Sequence, residues 1–276
     1  MPFALSTSLL RAPHTLPGWA CAGLLAFAPL AAQAQGFAAY ITPPRFEVQA
    51  TAGQSLRQVL EIQHVGQQKG NFRIYTSDWT LNADNSVTFS EELAADSCRP
   101  WVAIERRELV IEPGARYRYR FEITPPPGTT ARECRFALMV EGLDPAQAQG
   151  NLSMPVSGRI GVVVYAAIGG AAPQLELVST KVFTVNGKPT AVVEVRNRGN
   201  AHGRLEGFVN GTDASGDRLE MAPADLPILA GETRAVTINP VAEEGKPPRE
   251  VRFPLTIKGN LEWGKNRLPL DASFAP

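Results

Sequence analysis

Chemistry needs particular side chains within reach of one another, and this chain offers few of them. Beyond residue 34 it holds two histidines, His64 and His202, which fall in different halves of the sequence. No H-E-x-x-H, G-x-S-x-G or phosphate-loop pattern occurs. Cys98 with His64 would make a thiol–histidine dyad only if the cysteine stayed reduced. Asp213-Ala214-Ser215-Gly216-Asp217 has the composition of a calcium loop but not the spacing of a helix–loop–helix site. Asp84, Asp213 and Asp217 stand in turns, where carboxylates cap backbone amides in any case. These patterns give no basis for expecting an enzyme, a cofactor or a bound metal. The 27 basic residues balance 27 acidic ones with no basic block, so nucleic acid is not an expected partner.

Residues 1 to 34 read as a secretory signal peptide. The apolar segment Leu16 to Ala32 follows a short start carrying Arg11, and Ala32-Gln33-Ala34 has the small-residue pattern of a cleavage site. The alternative is an uncleaved membrane anchor, although Pro17, Gly18 and Pro29 shorten the uninterrupted apolar core. No later segment approaches the ~20 apolar residues of a membrane helix. The mature chain is therefore expected to be exported, soluble and without a membrane span. It keeps Cys98 and Cys134, because Cys21 lies in the signal peptide. Two cysteines in an exported chain are expected to form a disulfide, with two free buried thiols as the alternative. Closing a loop of about 36 residues would stabilise the fold by roughly 2–4 kcal/mol.

The elements that must position these groups are strands. Ala115 to Thr124 places Tyr117, Tyr119, Phe121 and Ile123 on one face and Arg116, Arg118, Arg120 and Glu122 on the other, a half-buried strand. Shorter alternating runs start at Arg45, Leu56, Asn71 and Arg132, separated by turn signals such as Glu112-Pro113-Gly114 and Pro125-Pro126-Pro127-Gly128. The stretch Asn151 to Gly170 reads as one long strand: Leu152, Met154 and Val156 alternate, Arg159 follows, and Ile160 to Tyr165 is largely β-branched. It exits through Gly169-Gly170-Ala171-Ala172-Pro173, a boundary between two domains. The pattern then restarts, with an Asn186-Gly187 hairpin signal and runs at Ala191 to Val195, Leu205 to Val209, Arg218 to Met221, Arg234 to Ile238 and Val251 to Ile257. Roughly 240 residues after the signal peptide suffice for two domains of ordinary size. The expected fold is all-β: two immunoglobulin-like β-sandwich domains, residues 35–168 and 169–276, joined by a short hinge. An up-and-down barrel is the alternative for the first.

Four pieces of the first half resemble the periplasmic pilus-assembly chaperones of the chaperone-usher pathway. They are Pro44-Arg45-Phe46-Glu47-Val48, Glu112-Pro113-Gly114, Arg132-Glu133-Cys134-Arg135-Phe136 and the stretch from Asn151 to Gly170. The resemblance covers roughly residues 38 to 168, and the second half is similar to the family's second domain less specifically. It implies two sandwiches set at an angle, a periplasmic location, no nucleotide and no catalysis. It implies that Arg45 and Arg159 bind the C-terminal carboxylate of a pilin-like or other exported surface subunit. A guanidinium suits that task because its planar fork matches a carboxylate. It further implies that Leu152, Met154 and Val156 form an apolar row donated to the subunit's incomplete fold, and that an outer-membrane usher receives the complex. Pro155 lies within that row and withholds one amide from any ladder. The alternative function is a structural or adhesive component of a surface structure, built from the same two sandwiches and without chaperone activity.

Overall fold

The computed structural model describes residues 38–143, 158–185, 187–242, 245 and 249–276. The segment expected to be a signal peptide and the row Leu152, Met154 and Val156, with Pro155, lie outside the described residues. The strands all belong to one compact unit, Ala34–Pro276.

In chain order the first ten strands are β1 (Ala39–Thr42), β2 (Arg45–Ala50), β3 (Leu56–His64), β4 (Gly70–Leu81), β5 (Val87–Ser90), β6 (Val102–Ile104), β7 (Glu108–Ile111), β8 (Arg116–Ile123), β9 (Arg132–Gly142) and β10 (Arg159–Ile168). They form two sheets, one ordered β1-β3-β8-β6 and the other β2-β10-β9-β4-β5 with β7 also on β4. The alternation expected of β8 sets its geometry: Tyr119, Phe121 and Ile123 are buried while Arg116, Arg118 and Arg120 face solvent. Between the sheets, Leu60, Ile62, Ile74, Phe136, Leu138, Val162, Val164 and Ile168 make one core. Phe46 and Phe121 meet edge to face in it, 5.1 Å between centroids. The disulfide is formed: Cys98 and Cys134, both fully buried, are bonded with their Cα atoms 5.2 Å apart.

The first chain segment serves both sheets. β1 pairs antiparallel with β3 in one sheet, the chain bends at Pro43-Pro44, and β2 pairs parallel with β10 in the other. Neither proline can donate to a ladder, so the pairing must stop there and the strand is free to change sheets.

The other seven strands are β11 (Leu175–Val185), β12 (Lys188–Asn197), β13 (Val209–Thr212), β14 (Arg218–Pro223), β15 (Thr233–Pro240), β16 (Leu255–Trp263) and β17 (Asn266–Phe274). They form a single sheet, β11-β12-β15-β14-β13-β16-β17, around a second core that includes Val193, Val195, Met221, Val236, Ile257, Leu261 and Phe274. The chain passes from one core to the other through Gly169 and Gly170, whose φ of 62° and 78° are left-handed and favour glycine.

Two expected strands of this half are corrected. Leu205 to Val209 is loop up to Phe208, because Gly207 has φ 88° and breaks the extended run; the strand starts at Val209. Val251 to Ile257 is a strand only from Leu255 onward, where β16 begins a long hairpin with β17 that the alternation near the C terminus only partly marks.

Candidate functional site

Arg45 is the first residue of β2, and its Cα pairs with Val163 of β10. Because side chains alternate, Phe46 enters the core and Arg45 and Glu47 point outward on the same face as Tyr165. Arg45 Nε donates to Glu47 Oε1 at 2.7 Å, and Arg45 Nη1 donates to Asp225 Oδ2 at 2.8 Å. A second guanidinium, from the loop after β12, joins them. Arg204 Nε donates to Glu47 Oε1 at 3.1 Å, and Arg204 Nη1 donates to Asp225 Oδ1 at 2.8 Å. Two arginines and two carboxylates thus alternate in a ring that links β2 with two loops of the other core. Asp225 is held below the ordinary carboxylate range: its partial burial opposes ionisation, but the charges of Arg204 and Arg45 and their hydrogen bonds outweigh it.

His202, two residues before Arg204, lies under this ring. Its side chain is buried and stacks on Tyr165 with ring centroids 3.7 Å apart. Nδ1 donates to Glu133 Oε2 at 2.6 Å, the same oxygen that accepts the His202 backbone N–H at 3.1 Å. Nε2 lies 3.6 Å from Glu47 Oε1, an ion-pair distance rather than a hydrogen bond. Burial disfavours the imidazolium, but the hydrogen bond to Glu133 and the charges of Glu133 and Glu47 outweigh it, so the His202 pKa is raised. The same contact holds Glu47 down to about 2, with Arg204 and Arg45 adding to it against burial. Tyr165 is pushed up to about 12 by burial, which Arg204 only partly offsets. A cleft of about 360 Å³ opens beside these groups, lined by Glu47, Glu133, Tyr165, His202, Arg204 and Trp263 among others.

The loop that carries His202 and Arg204 is built from within by Asn197, which is fully buried. Its Oδ1 accepts from the amides of Gln174 and Gly199, and its Nδ2 donates to the carbonyls of Ala201 and Ile228. All four of the side-chain amide's principal bonds are made, which fixes the loop. Asn200 extends the hold by donating to Ala131 O, while the Glu133 amide donates back to Asn200 O.

β10 presents a second feature. Its partner β2 covers only Val163 to Ile168, whereas β9 pairs with the whole of Arg159 to Ile168. Arg159 to Val162 therefore have a strand on one side and none on the other among the described residues. Arg159 is exposed at the head of this segment. It shares the outward face with Val163, four residues on, so it stands roughly 13 Å along the strand from the level of Arg45.

No family model matches this sequence, and no curated protein sequence matches it. Solved pilus and fimbrial chaperones are similar to it in fold. The class 5 fimbriae chaperone CfaA is 13% identical, over 86% of this chain and 99% of that one, with a TM-score of 0.46. The SafB chaperone of Salmonella enterica, solved in complex with the SafA pilin, is 11% identical over 87% and 99% of the two chains, with a TM-score of 0.48. The E. coli chaperone DraB is 10% identical over 86% and 100%, with a TM-score of 0.46.

Of the residues singled out from sequence, Arg45 stands in the ring, Arg159 stands apart from it, and the expected apolar row is not among the described residues. Cys98 is bonded to Cys134, so no dyad with His64 forms; the two ring nitrogens of His64 contact the carbonyls of Ala38 and Gln68 instead. Asp213 caps its own turn, accepting from the amides of Ser215 and Asp217. Sequence reasoning passed over Glu47, Glu133, Tyr165, His202, Arg204 and Asp225 as a group. Their one signal as a group is the loop Asn197 to Arg204, where a histidine and four polar or charged residues stand among small ones.

Proposed function

We propose that this chain is a periplasmic chaperone for exported surface-fibre subunits. It binds the client stoichiometrically, with its C-terminal carboxylate anchored at Arg45, and passes it to an outer-membrane assembly platform. The open edge of β10 carries the proposal. Among the described residues, the amides and carbonyls of Arg159 to Val162 that face away from β9 have no partner strand, and they are a template for an added strand, which gains backbone hydrogen bonds and side-chain pockets together. A client strand running parallel to β10 there is collinear with β2 and must end where β2 begins, at Arg45. Arg159, on the same outward face, borders the path of that strand. Leu152, Met154 and Val156, just upstream, are the row donated to the client's incomplete fold. Residues 35–168 are the chaperone-like domain and 169–276 the second sandwich.

A second function is favoured by one observation: Arg45 is already ion-paired to Glu47 and Asp225. In that case the chain is a structural or adhesive component, and Arg45 is a contact between its two halves. Co-expression with the exported proteins encoded beside it, followed by affinity recovery, separates the two. The chaperone is expected to carry an exported subunit with it, and Arg45→Ala to reduce recovery at least 10-fold in protein that still unfolds in one cooperative transition. Recovery undiminished by Arg45→Ala contradicts carboxylate anchoring, and wild-type protein that recovers no exported partner points to the structural component.

A further inference from the structure

Asp225 is an exposed acid sitting on two less exposed bases. Each of its carboxylate oxygens accepts from a different arginine, Oδ2 from Arg45 and Oδ1 from Arg204, both at 2.8 Å. Its side chain is 62% exposed, whereas that of Arg204 beneath it is 8% exposed. On the inner side Glu47 Oε1 takes the Nε of both arginines. Arg204 is held further by the ring and hydroxyl of Tyr165 and by the Asp225 carbonyl. With Asp225 turned away, two guanidinium groups would face solvent across the gap it leaves, with the Glu47 carboxylate alone against them.

We infer that this gap is the carboxylate site, with Arg204 as its second guanidinium and Asp225 as a resident carboxylate that an incoming C-terminal carboxylate replaces. This rests on the function proposed above, in which the client strand ends at Arg45. The last residue of such a strand arrives at the head of β2, within reach of the donors that now hold Asp225. The exchange keeps the ring's charge balance, because one carboxylate leaves as another enters. Asp225 goes to solvent, where an already exposed acid loses little. The charge-assisted bonds it gives up are remade by the newcomer with the same fork geometry. Arg159, roughly 13 Å along β10, lies beside the strand rather than at its end. Asp225 would thus set how tightly a carboxylate is held, and a chain that must release its client has a use for such a competitor.

The test uses the mature chain and two synthetic hexapeptides of alternating threonine and valine, one ending in a free carboxylate and one in an amide. Both are titrated calorimetrically at low salt. The free-carboxylate peptide is expected to bind at least 10-fold more tightly than the amide. Asp225→Asn is expected to tighten the carboxylate peptide at least 3-fold and leave the amide peptide unchanged. Arg204→Gln is expected to weaken the carboxylate peptide at least 10-fold. Because Arg204 also packs on Tyr165, Asp225→Asn decides the matter if the Arg204 variant fails to fold. If Arg45→Ala abolishes the carboxylate preference while Asp225→Asn leaves it unchanged, this inference is overturned and carboxylate anchoring at Arg45 stands. If the two peptides bind equally, or neither binds, anchoring itself fails and the inference with it.

Discussion

The imidazole of His202 lies flat on the ring of Tyr165, 3.7 Å between centroids, and is clamped edge-on by the Glu133 carboxylate at 2.6 Å. The residues come from both cores, since Tyr165 and Glu133 stand on β10 and β9 and His202 follows β12. A protonation equilibrium therefore sits in the contact between them.

That contact predicts the pH dependence of stability. The folded His202 is raised above its ordinary 6.5, so its contribution is fully present below that value and is lost as pH rises through the raised one. Glu47 behaves in the opposite sense: held down to about 2 from an ordinary 4.5, it stabilises above 4.5, and that contribution is lost as pH falls towards 2. Urea midpoints measured from pH 3 to 9 (a range of about six units) should fall at both ends. His202→Gln should flatten the alkaline limb and Glu47→Gln the acid limb. An alkaline limb as steep in His202→Gln as in the wild type would contradict the assignment.

The disulfide should matter for stability rather than for contact with a partner, because both cysteines are fully buried. It ties the loop before β6 to β9, next to the Arg135–Asp96 ion pair. Replacing Cys98 and Cys134 together by alanine should cost about 2–4 kcal/mol. Equilibrium urea unfolding of the double variant against the oxidised wild type checks this.

Arg234 is a further tie between the cores. Its side chain, 5% exposed, donates through Nη1 to Asn82 O at 3.2 Å and Asn85 Oδ1 at 2.8 Å in the β4–β5 turn, and it pairs with Glu232. Arg234→Met keeps much of the volume but leaves these acceptors without their donor, which should cost about 1–3 kcal/mol. Trp79, near that turn, is buried against Tyr165, so its fluorescence should report the loosening before global unfolding.

How much of this was legible in the sequence depends on the range of the interaction. The β8 face was plain because alternation is local and its four inward residues follow one another at period two. Cys98 and Cys134 were legible because a leader-like N terminus raises the expectation of export, and two cysteines in a chain expected to be exported have one simple use. The β16–β17 hairpin was not fully legible, because Gly259 stands within β16 between Lys258 and Asn260 and interrupts the apolar alternation. The ring was invisible for a different reason. Arg45 and Asp225 are 180 residues apart, Arg204 and Glu47 are 157 apart, and His202 and Glu133 are 69 apart. Nothing local marks Asp225, between alanine and leucine in a proline-flanked loop, as a partner for a distant arginine. Arg45 was found through its motif, and Arg204 had no motif to find it by.

The central claim is that a client strand adds to the open edge of β10, and amide hydrogen exchange tests it most directly. The outward-pointing amides between Arg159 and Val162 should exchange at least 10-fold more slowly once a co-expressed exported subunit is bound, while amides of β11 at the far edge of the third sheet stay unchanged. Exchange at Arg159 to Val162 that is the same with and without a bound subunit would contradict strand addition at this edge.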